Sequence, residues 1–398
     1  MGNSNLSNAK NAKNDEFYTQ WGDIEKEINA YLDLDPDVFK EKTILCPCDD
    51  PYESNFFKYF ALNFKLLGLK KLIATCYAGS PIANTELSLF PDESEENKTT
   101  RNPHKIEITD NDGLKNLYDV ELLLASDRNH LTRLNGDGDF RSAEIKKLRD
   151  EADIIITNPP FSLFREFLAW ITEANKQFLI IGNMNAITYK EVFPLIKENK
   201  MWLGASIHSG DREFAVPDDY PLYAAGYRID EKGKKYIRIK GVRWFTNLDH
   251  GRRHQPLPLM TMAKNLRYNR KIKGKESYDR YDNYDAIEIP FTDAIPSDYE
   301  GIMGVPISFL DKYSPEQFEI LGATQRGCHN EVPDTKKYDD YWEVKQNGEK
   351  TGSSGGKTNE NANLVGNDGK KNYFINKEGR MIQSAYQRIF IKHRKVNV

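Results

Sequence analysis

DEADIIITNPPFSLFREFLAW, residues 150–170, decides the reading of the fold. Ile154, Ile155 and Ile156 form a short β-branched run with no polar alternation, which predicts a strand buried on both faces. The chain then turns polar at Asn158, stiff at Pro159 and Pro160, and aromatic at Phe161, with a helical pattern from about Ser162. Three further strand candidates are TILC (43–46), KLIATC (71–76) and QFLIIG (177–182). Helical patterns at 53–68 and 162–176 sit between them. Strands alternating with helices predict an α/β fold, a mostly parallel sheet with helices on both faces. Such sheets bind ligands at the carboxyl ends of their strands. The Asn-Pro-Pro-Phe turn falls at such an end.

Composition narrows the function classes. A chain of 398 residues, 39% hydrophobic and 12% aromatic, supports one large domain or two ordinary ones and is neither disordered nor a coiled coil. Its formal net charge of -4 carries no global signature of nucleic-acid binding, so any such site is a local patch. With 4 cysteines, no paired C-x-x-C units and 7 histidines that do not cluster with them, neither a zinc site nor a disulfide framework is expected. No charged-then-apolar leader opens the chain, and no apolar run reaches the ~18 residues of a membrane span. The expectation is a soluble cytoplasmic protein without a membrane partner or a metal.

Along the chain, residues 1–15 are rich in Asn, Ser and Lys and predict a flexible arm. Residues 16–249 carry the alternating pattern. Within them, KKYIRIKGVRWFTNL (234–248) has period two, broken at Lys240-Gly241, and predicts paired strands. Residues 250–398 are less regular, a mixed α+β region. The Gly-, Ser- and Asn-rich stretch near 348–369 predicts a mobile loop, and YQRIFIKHRK (386–395) a last strand.

The Asn-Pro-Pro-Phe turn suits one chemistry. Pro159 restricts Asn158 to extended backbone, and Pro160 does the same to Pro159. Prolines lack N–H donors, so the turn offers acceptors: backbone carbonyls and the Asn158 amide oxygen. The amino group of adenine is a poor nucleophile because its lone pair is delocalised into the ring. Two acceptors, Asn158 Oδ1 and the Pro159 carbonyl, can take its two hydrogens and draw the nitrogen toward a tetrahedral shape. The lone pair then points at an electrophilic methyl group, and preorganised dipoles supply the rate enhancement. Phe161 would stack on the base, which must first be flipped out of a duplex. The bland alternative is a strand-to-helix turn that happens to use two prolines.

The tetrapeptide is the catalytic motif of amino-group methyltransferases that use S-adenosylmethionine. NDEFYT (14–19), TILCPCDDPYESNFFKYFALNF (43–64), GDGDFRS (136–142), GVRWFTNL (241–248) and GVPISFLDKYSPEQFEILG (304–322) resemble the EcoRI-type adenine-specific DNA methyltransferases. The resemblance runs from about Asn14 to the closing RIFIK. It implies a Rossmann-like catalytic domain over 16–249 and a DNA-recognition region over 250–398. It further implies methyl transfer from S-adenosylmethionine to the 6-amino group of a flipped adenine, with double-stranded DNA as partner. A monomer is expected, alongside a cognate restriction endonuclease.

By resemblance, Phe17, Tyr18 and Thr19 line the cofactor pocket, and Asp49 or Asp50 holds the methionine ammonium. Asp139 accepts the cofactor's adenine amino group and Phe140 packs on its ring. Each has a structural alternative. Asp50 reads as the cap of a helix beginning at Pro51, with Glu53 reaching back. Asp139 belongs to a Gly-Asp turn. Phe17 and Tyr18 can staple the first helix. The usual glycine-rich loop is absent, and Thr75, Cys76 and Tyr77 stand where a ribose-binding acid is common.

From Gly251 to Lys275 there is no acid, and Arg252, Arg253, Lys264, Arg267, Arg270, Lys271, Lys273 and Lys275 gather there with Tyr268. Such a run is usually a solvated face. Beside a methyltransferase core it reads as a DNA contact, because cations on phosphates dominate affinity. Asp334 with Glu343 and Lys345 suggests instead a magnesium-dependent nuclease. Two other rivals are an RNA-base or protein-glutamine methyltransferase with the same tetrapeptide, and a DNA-binding module with a decayed cofactor site.

Overall fold

The computed structural model describes residues 18–51, 54–76, 104–110, 114–120, 131–208, 210–216, 226–324 and 331–395. Phe17, Glu53 and Tyr77 lie outside the described residues. The chain forms two compact units: Met1–Ala186 with Met201–Gly251, and Ile187–Lys200 with Arg252–Val398.

The first unit contains β1 (Thr43–Cys46), β2 (Lys71–Thr75), β3 (His104–Ile108), β4 (Leu131–Arg133), β5 (Ile154–Thr157), β6 (Gln177–Asn183), β7 (Trp202–Leu203), β8 (Asp211–Val216), β9 (Tyr227–Ile229), β10 (Lys235–Lys240) and β11 (Val242–Thr246). Its helices are α1 (Trp21–Leu32), α2 (Asn55–Leu62), α3 (Ala143–Glu151) and α4 (Phe164–Glu173). Eight strands make one sheet in the order β4-β3-β2-β1-β5-β6-β11-β7. The four central strands β2, β1, β5 and β6 are parallel. Both flanks are antiparallel, so the sheet is mixed rather than mostly parallel. The physical reason is connection length: an antiparallel neighbour needs no crossover helix, so short strands can be added at the edges.

The isoleucine run is buried on both faces as expected. Ile154 and Ile156 join Ile44, Leu179 and Trp244 in the core under α1 and α2. Ile155 points the other way by strand alternation and is also fully buried. On that face Phe164 of α4 meets Phe245 of β11 at 5.1 Å between ring centroids. Gly182 in β6 makes room for this: a Cβ there would overlap the Phe164 ring. Each buried isoleucine contributes roughly 1.5–3 kcal/mol by leaving water.

A buried carboxylate ties α1 to the sheet. Glu27 is fully buried and accepts from Tyr31 Oη (2.7 Å), the Ala205 amide (2.8 Å) and the Ser206 amide (2.7 Å). Burial pushes its carboxyl above the ordinary glutamate range, against the lowering effect of those donors. A native pKa above the unfolded one means the folded state holds the proton longer. The stability linked to that proton is present below the unfolded value and lost as pH rises through the folded one. The wild type is therefore expected to lose stability relative to Glu27→Gln across that window, by up to ~1.4 kcal/mol per pH unit. Parallel pH series of urea midpoints check this, and parallel curves for the two proteins would refute it.

The second unit contains β12 (Ile287–Glu288), β13 (Met303–Pro306), β14 (Phe318–Ala323), β15 (Trp342–Val344), β16 (Lys350–Ser354), β17 (Asn363–Val365), β18 (Tyr373–Ile375), β19 (Met381–Ser384) and β20 (Arg388–His393), with short helices α5 (Phe193–Lys197) and α6 (Met262–Tyr268). One sheet runs β12-β13-β20-β14 and another β16-β15-β18-β19-β17. The stretch expected as a mobile loop near 348–369 is instead built into β16, a 3-10 turn (Gly355–Glu360) and β17. Its small polar residues serve close approach and hydrogen bonding. A Cβ at Gly355 would overlap the Tyr341 backbone. The fully buried Asn363 side chain donates to the Thr358 carbonyl (2.7 Å) and accepts from Ser384 Oγ (2.6 Å). No helix among the described residues is long and apolar enough to cross a membrane.

Candidate active site

Polar side chains are buried together at the carboxyl edge of the parallel strands. Thr157 closes β5, Thr75 closes β2, and the loop after β1 brings Asp49 between them. The Asp49 carboxylate accepts from Ser54 Oγ (2.7 Å) and Thr157 Oγ1 (2.5 Å). Its amide donates to the Thr75 carbonyl (3.2 Å), and Thr75 Oγ1 donates to the Pro47 carbonyl (3.0 Å). Three strand ends are thus laced to one acid. Burial, and then the Asp49 charge, push the Cys46 thiol well up.

Asp50 is buried as well, but it does not cap a helix from Pro51. Its carbonyl accepts the Ser54 amide (2.7 Å), and α2 begins at Asn55. Ser54 is the cap, its hydroxyl accepting from the Phe56 and Phe57 amides (3.1 and 3.3 Å). A serine at the N-cap satisfies orphan amides that Asp50, four residues earlier, cannot reach. Thr19 joins this group: its carbonyl accepts from Asn55 Nδ2 (2.7 Å). The Thr19 hydroxyl is buried with no hydrogen-bond partner among the described residues. Tyr18 pairs with Ala215 of β8 through two backbone bonds (3.0 and 3.2 Å) and packs against it.

Asn158, Pro159 and Pro160 are buried directly after β5, and Phe161 is half-buried against the core. The Pro160 carbonyl accepts the Leu163 amide (2.9 Å), closing the 3-10 turn Phe161–Leu163 before α4. Among the described residues nothing donates to the Pro159 carbonyl. The expected helix start at Ser162 is therefore a 3-10 turn, with α4 proper from Phe164.

Asp139 and Phe140 precede α3. The Asp139 carboxylate accepts from Arg141 at Nη2 (2.6 Å), Nε (2.9 Å) and the amide (2.8 Å). Arg141 holds it below the ordinary aspartate range and reaches on to Glu166 of α4 (3.0 Å). These bonds fill three of about four lone-pair sites, leaving room for one further donor. The Phe140 ring packs on Phe167 and Trp170 of α4, centroids 5.1 and 5.6 Å away. It is a core ring first.

In the second unit the basic stretch separates into two kinds of residue. Arg252, Lys264, Arg267, Arg270, Lys271 and Lys273 are exposed. Arg253 is buried and donates to Asn199 Oδ1, a structural bond rather than a solvent-facing contact. Lys271 pairs with Asp293 (3.5 Å) and lies over the Phe291 ring (4.2 Å). The Glu343 and Lys345 pair does not converge. Glu343 accepts from Thr351 (2.9 Å) and Asn372 (3.0 Å), while Lys345 pairs with Glu349 (3.2 Å).

A family model described as adenine-specific methyltransferase EcoRI matches residues 5–394. The chain belongs to that family. It is 48% identical over 320 residues to the type II methyltransferase M.EcoRI of Escherichia coli, covering 80% of this chain and 89% of that one. It is 36% identical to the type II methyltransferase M.MpnI of Mycoplasma pneumoniae, covering 79% and 84%. It is 35% identical to the type II methyltransferase M.MgeORF184P of Mycoplasma genitalium, covering 79% and 85%. No solved structure matches.

As a member of this methyltransferase family the chain is an enzyme, which removes the reading as a binding module alone. Of the residues that shape the edge, the sequence marks Thr75 by its place at a strand end but not Ser54 or Thr157. For Thr157 the only signal available is the same one, a threonine closing a strand. The Thr157–Asp49 bond spans 108 residues, and nothing local announces it.

Proposed function

We propose that the chain methylates the 6-amino group of a flipped adenine in double-stranded DNA, with S-adenosylmethionine as methyl donor. The first unit, a Rossmann-like sheet with strand order and antiparallel β11 suited to that class, is read as the catalytic unit. The second, with exposed Lys264, Arg267, Arg270, Lys271, Lys273 and Arg252, is read as the recognition unit. The relatives are named type II methyltransferases, so a cognate restriction endonuclease is part of this reading.

The observation that carries it is the Pro159 carbonyl. It accepts nothing among the described residues, beside buried Asn158 and one strand from buried Asp49. Asn158 Oδ1 and the Pro159 carbonyl hold the two amino hydrogens; the proline pair fixes the backbone that carries the carbonyl, and burial restrains the Asn158 side chain. Phe161 stacks on the base. The residues also fit the cofactor. Asp49 and Asp50 offer carboxylates to an ammonium group, and the orphaned Thr19 hydroxyl offers a bond to a polar ligand. When bound, S-adenosylmethionine supplies the electrophilic methyl group. Burial of the edge excludes water from the acceptors, so their dipoles act at low dielectric.

Expression in a methylation-free host, followed by mapping of modified bases, tests the reading. The expected result is 6-methyladenine at one short motif. Unmodified DNA from well-folded protein would overturn it, and methylation of RNA alone would favour the RNA rival.

A further inference from the structure

The first unit carries a second basic element outside the stretch at 251–275. Between Gly226 and Lys240 there are six basic residues and two acids. Strands β8, β10 and β9 form their own antiparallel sheet there. One face is apolar: Ile237 and Ile239 join Phe214 and Val216 in the core. That leaves β9 as a wholly exposed edge, with Tyr227 and Ile229 each about half exposed, at 53% and 52%.

The sheet is rooted at the rim of the candidate site by two independent contacts. Ala215 of β8 pairs with Tyr18, whose neighbour Thr19 bonds Asn55, the residue after the Ser54 that donates to Asp49. At the other end, the Lys240 carbonyl accepts from Asn183 Nδ2 (3.0 Å) at the close of β6. The Gly241 carbonyl accepts the Met184 amide (2.6 Å). β6 lies next to β5, the strand that delivers Asn158.

Two acids of this sheet, Asp230 and Glu213, are used internally, while Glu231 at the tip and Asp211 of β8 are exposed. Asp230 accepts the Lys232 and Lys234 amides (both 2.9 Å) and so closes the hairpin turn, where Gly233 takes φ +83. Glu213 is held by Arg228 (2.6 Å) and faces Arg238 (3.6 Å). Lys232 and Lys234 at the tip have no acidic partner among the described residues. A six-residue strand is roughly 20 Å long, enough to run beside several phosphates of one DNA strand.

We infer that the β9–β10 hairpin is a DNA-backbone clamp on the catalytic unit, seating phosphates next to the flipped adenine through Lys232 and Lys234. This rests on the reading of the chain as a DNA methyltransferase. The test is fluorescence anisotropy with a labelled duplex containing the mapped motif, over a salt series. For Lys232→Gln/Lys234→Gln, the slope of log affinity against log salt is expected to fall by about 1.8, at ~0.9 per lost phosphate contact. Affinity near 0.15 M salt should drop about tenfold, with calorimetric cofactor affinity unchanged. Lys146→Gln/Lys147→Gln on α3 removes the same charge elsewhere and should leave the slope alone. A second measurement avoids substitution: the duplex should slow acetylation of Lys232 and Lys234 in the wild type. An unchanged slope, or acetylation that the duplex does not slow, overturns the clamp while methylation by the wild type leaves the DNA reading standing. A wild type that neither binds nor methylates duplex overturns the DNA reading itself.

Discussion

Asn158→Ala is expected to lower the rate of methyl transfer by about 10²–10³, the cost of losing one preorganised group aimed at the reacting centre. Cofactor affinity should stay within about twofold, because the residue is proposed to hold the target base. Asn158 is also buried, so a fall in activity alone would not separate chemistry from packing. Asn158→Asp makes the separation. Its carboxylate still accepts from an amino group, so it should recover much of the rate, most clearly in single-turnover measurements where binding is saturated. Equal loss in both variants, tracking a fall in thermal midpoint, would reduce Asn158 to a structural turn residue.

The second large effect concerns the acid at the centre of the polar edge. Asp49→Asn keeps the shape, its one oxygen accepting from one of the Ser54 and Thr157 hydroxyls and its NH2 donating to the other. It removes the charge. A charged hydrogen bond contributes about 1.5–3 kcal/mol, so the dissociation constant for S-adenosylmethionine is expected to rise about 10–100-fold, read by calorimetry. The thermal midpoint of the ligand-free protein should move little. Unchanged cofactor affinity would shift the ammonium ligand to Asp50. A large loss of stability with unchanged affinity would make Asp49 a lacing residue only.

How legible was this site beforehand? The Asn158–Phe161 turn was legible because every determinant is local. Three isoleucines fix the strand, two prolines fix the backbone after it, and the aromatic follows at once. The loop after β1 was half legible. Asp49 and Asp50 were visible as candidates, but the cap was assigned to Asp50 when Ser54 performs it. A capping pattern read from spacing cannot tell which hydroxyl or carboxylate the backbone finally turns inward. Asp139 and Phe140 were visible as a motif, while the Arg141 pairing and the Phe167–Trp170 packing required α4 to be in place.

The same division holds for the rest of the chain. All four parallel strands expected in the first unit are present, because buried parallel strands are continuous apolar runs that stand out from helical periodicity; the two strands of 234–248 also form, but β10 pairs with β8 and β9 and β11 with β6 and β7. The added strands β3 and β4 carry no continuous apolar run, since HKIEI interleaves charged residues and LTR is only three residues, as an antiparallel edge permits. Composition alone marks the stretch at 348–369 as loose. It is held instead by Asn363 and by backbone approaches that only glycine permits. Local chemistry in this chain announced strands, the rigid turn and the charge of each segment. Tertiary structure alone chose which buried hydroxyls meet Asp49, which arginine of the basic stretch is locked inside, and that a basic hairpin is rooted at the site's rim. Apart from the Ser54–Asp49 bond, five residues apart, those choices depend on contacts across tens to hundreds of residues, and hydrogen-bond partners at that separation have no periodicity to read.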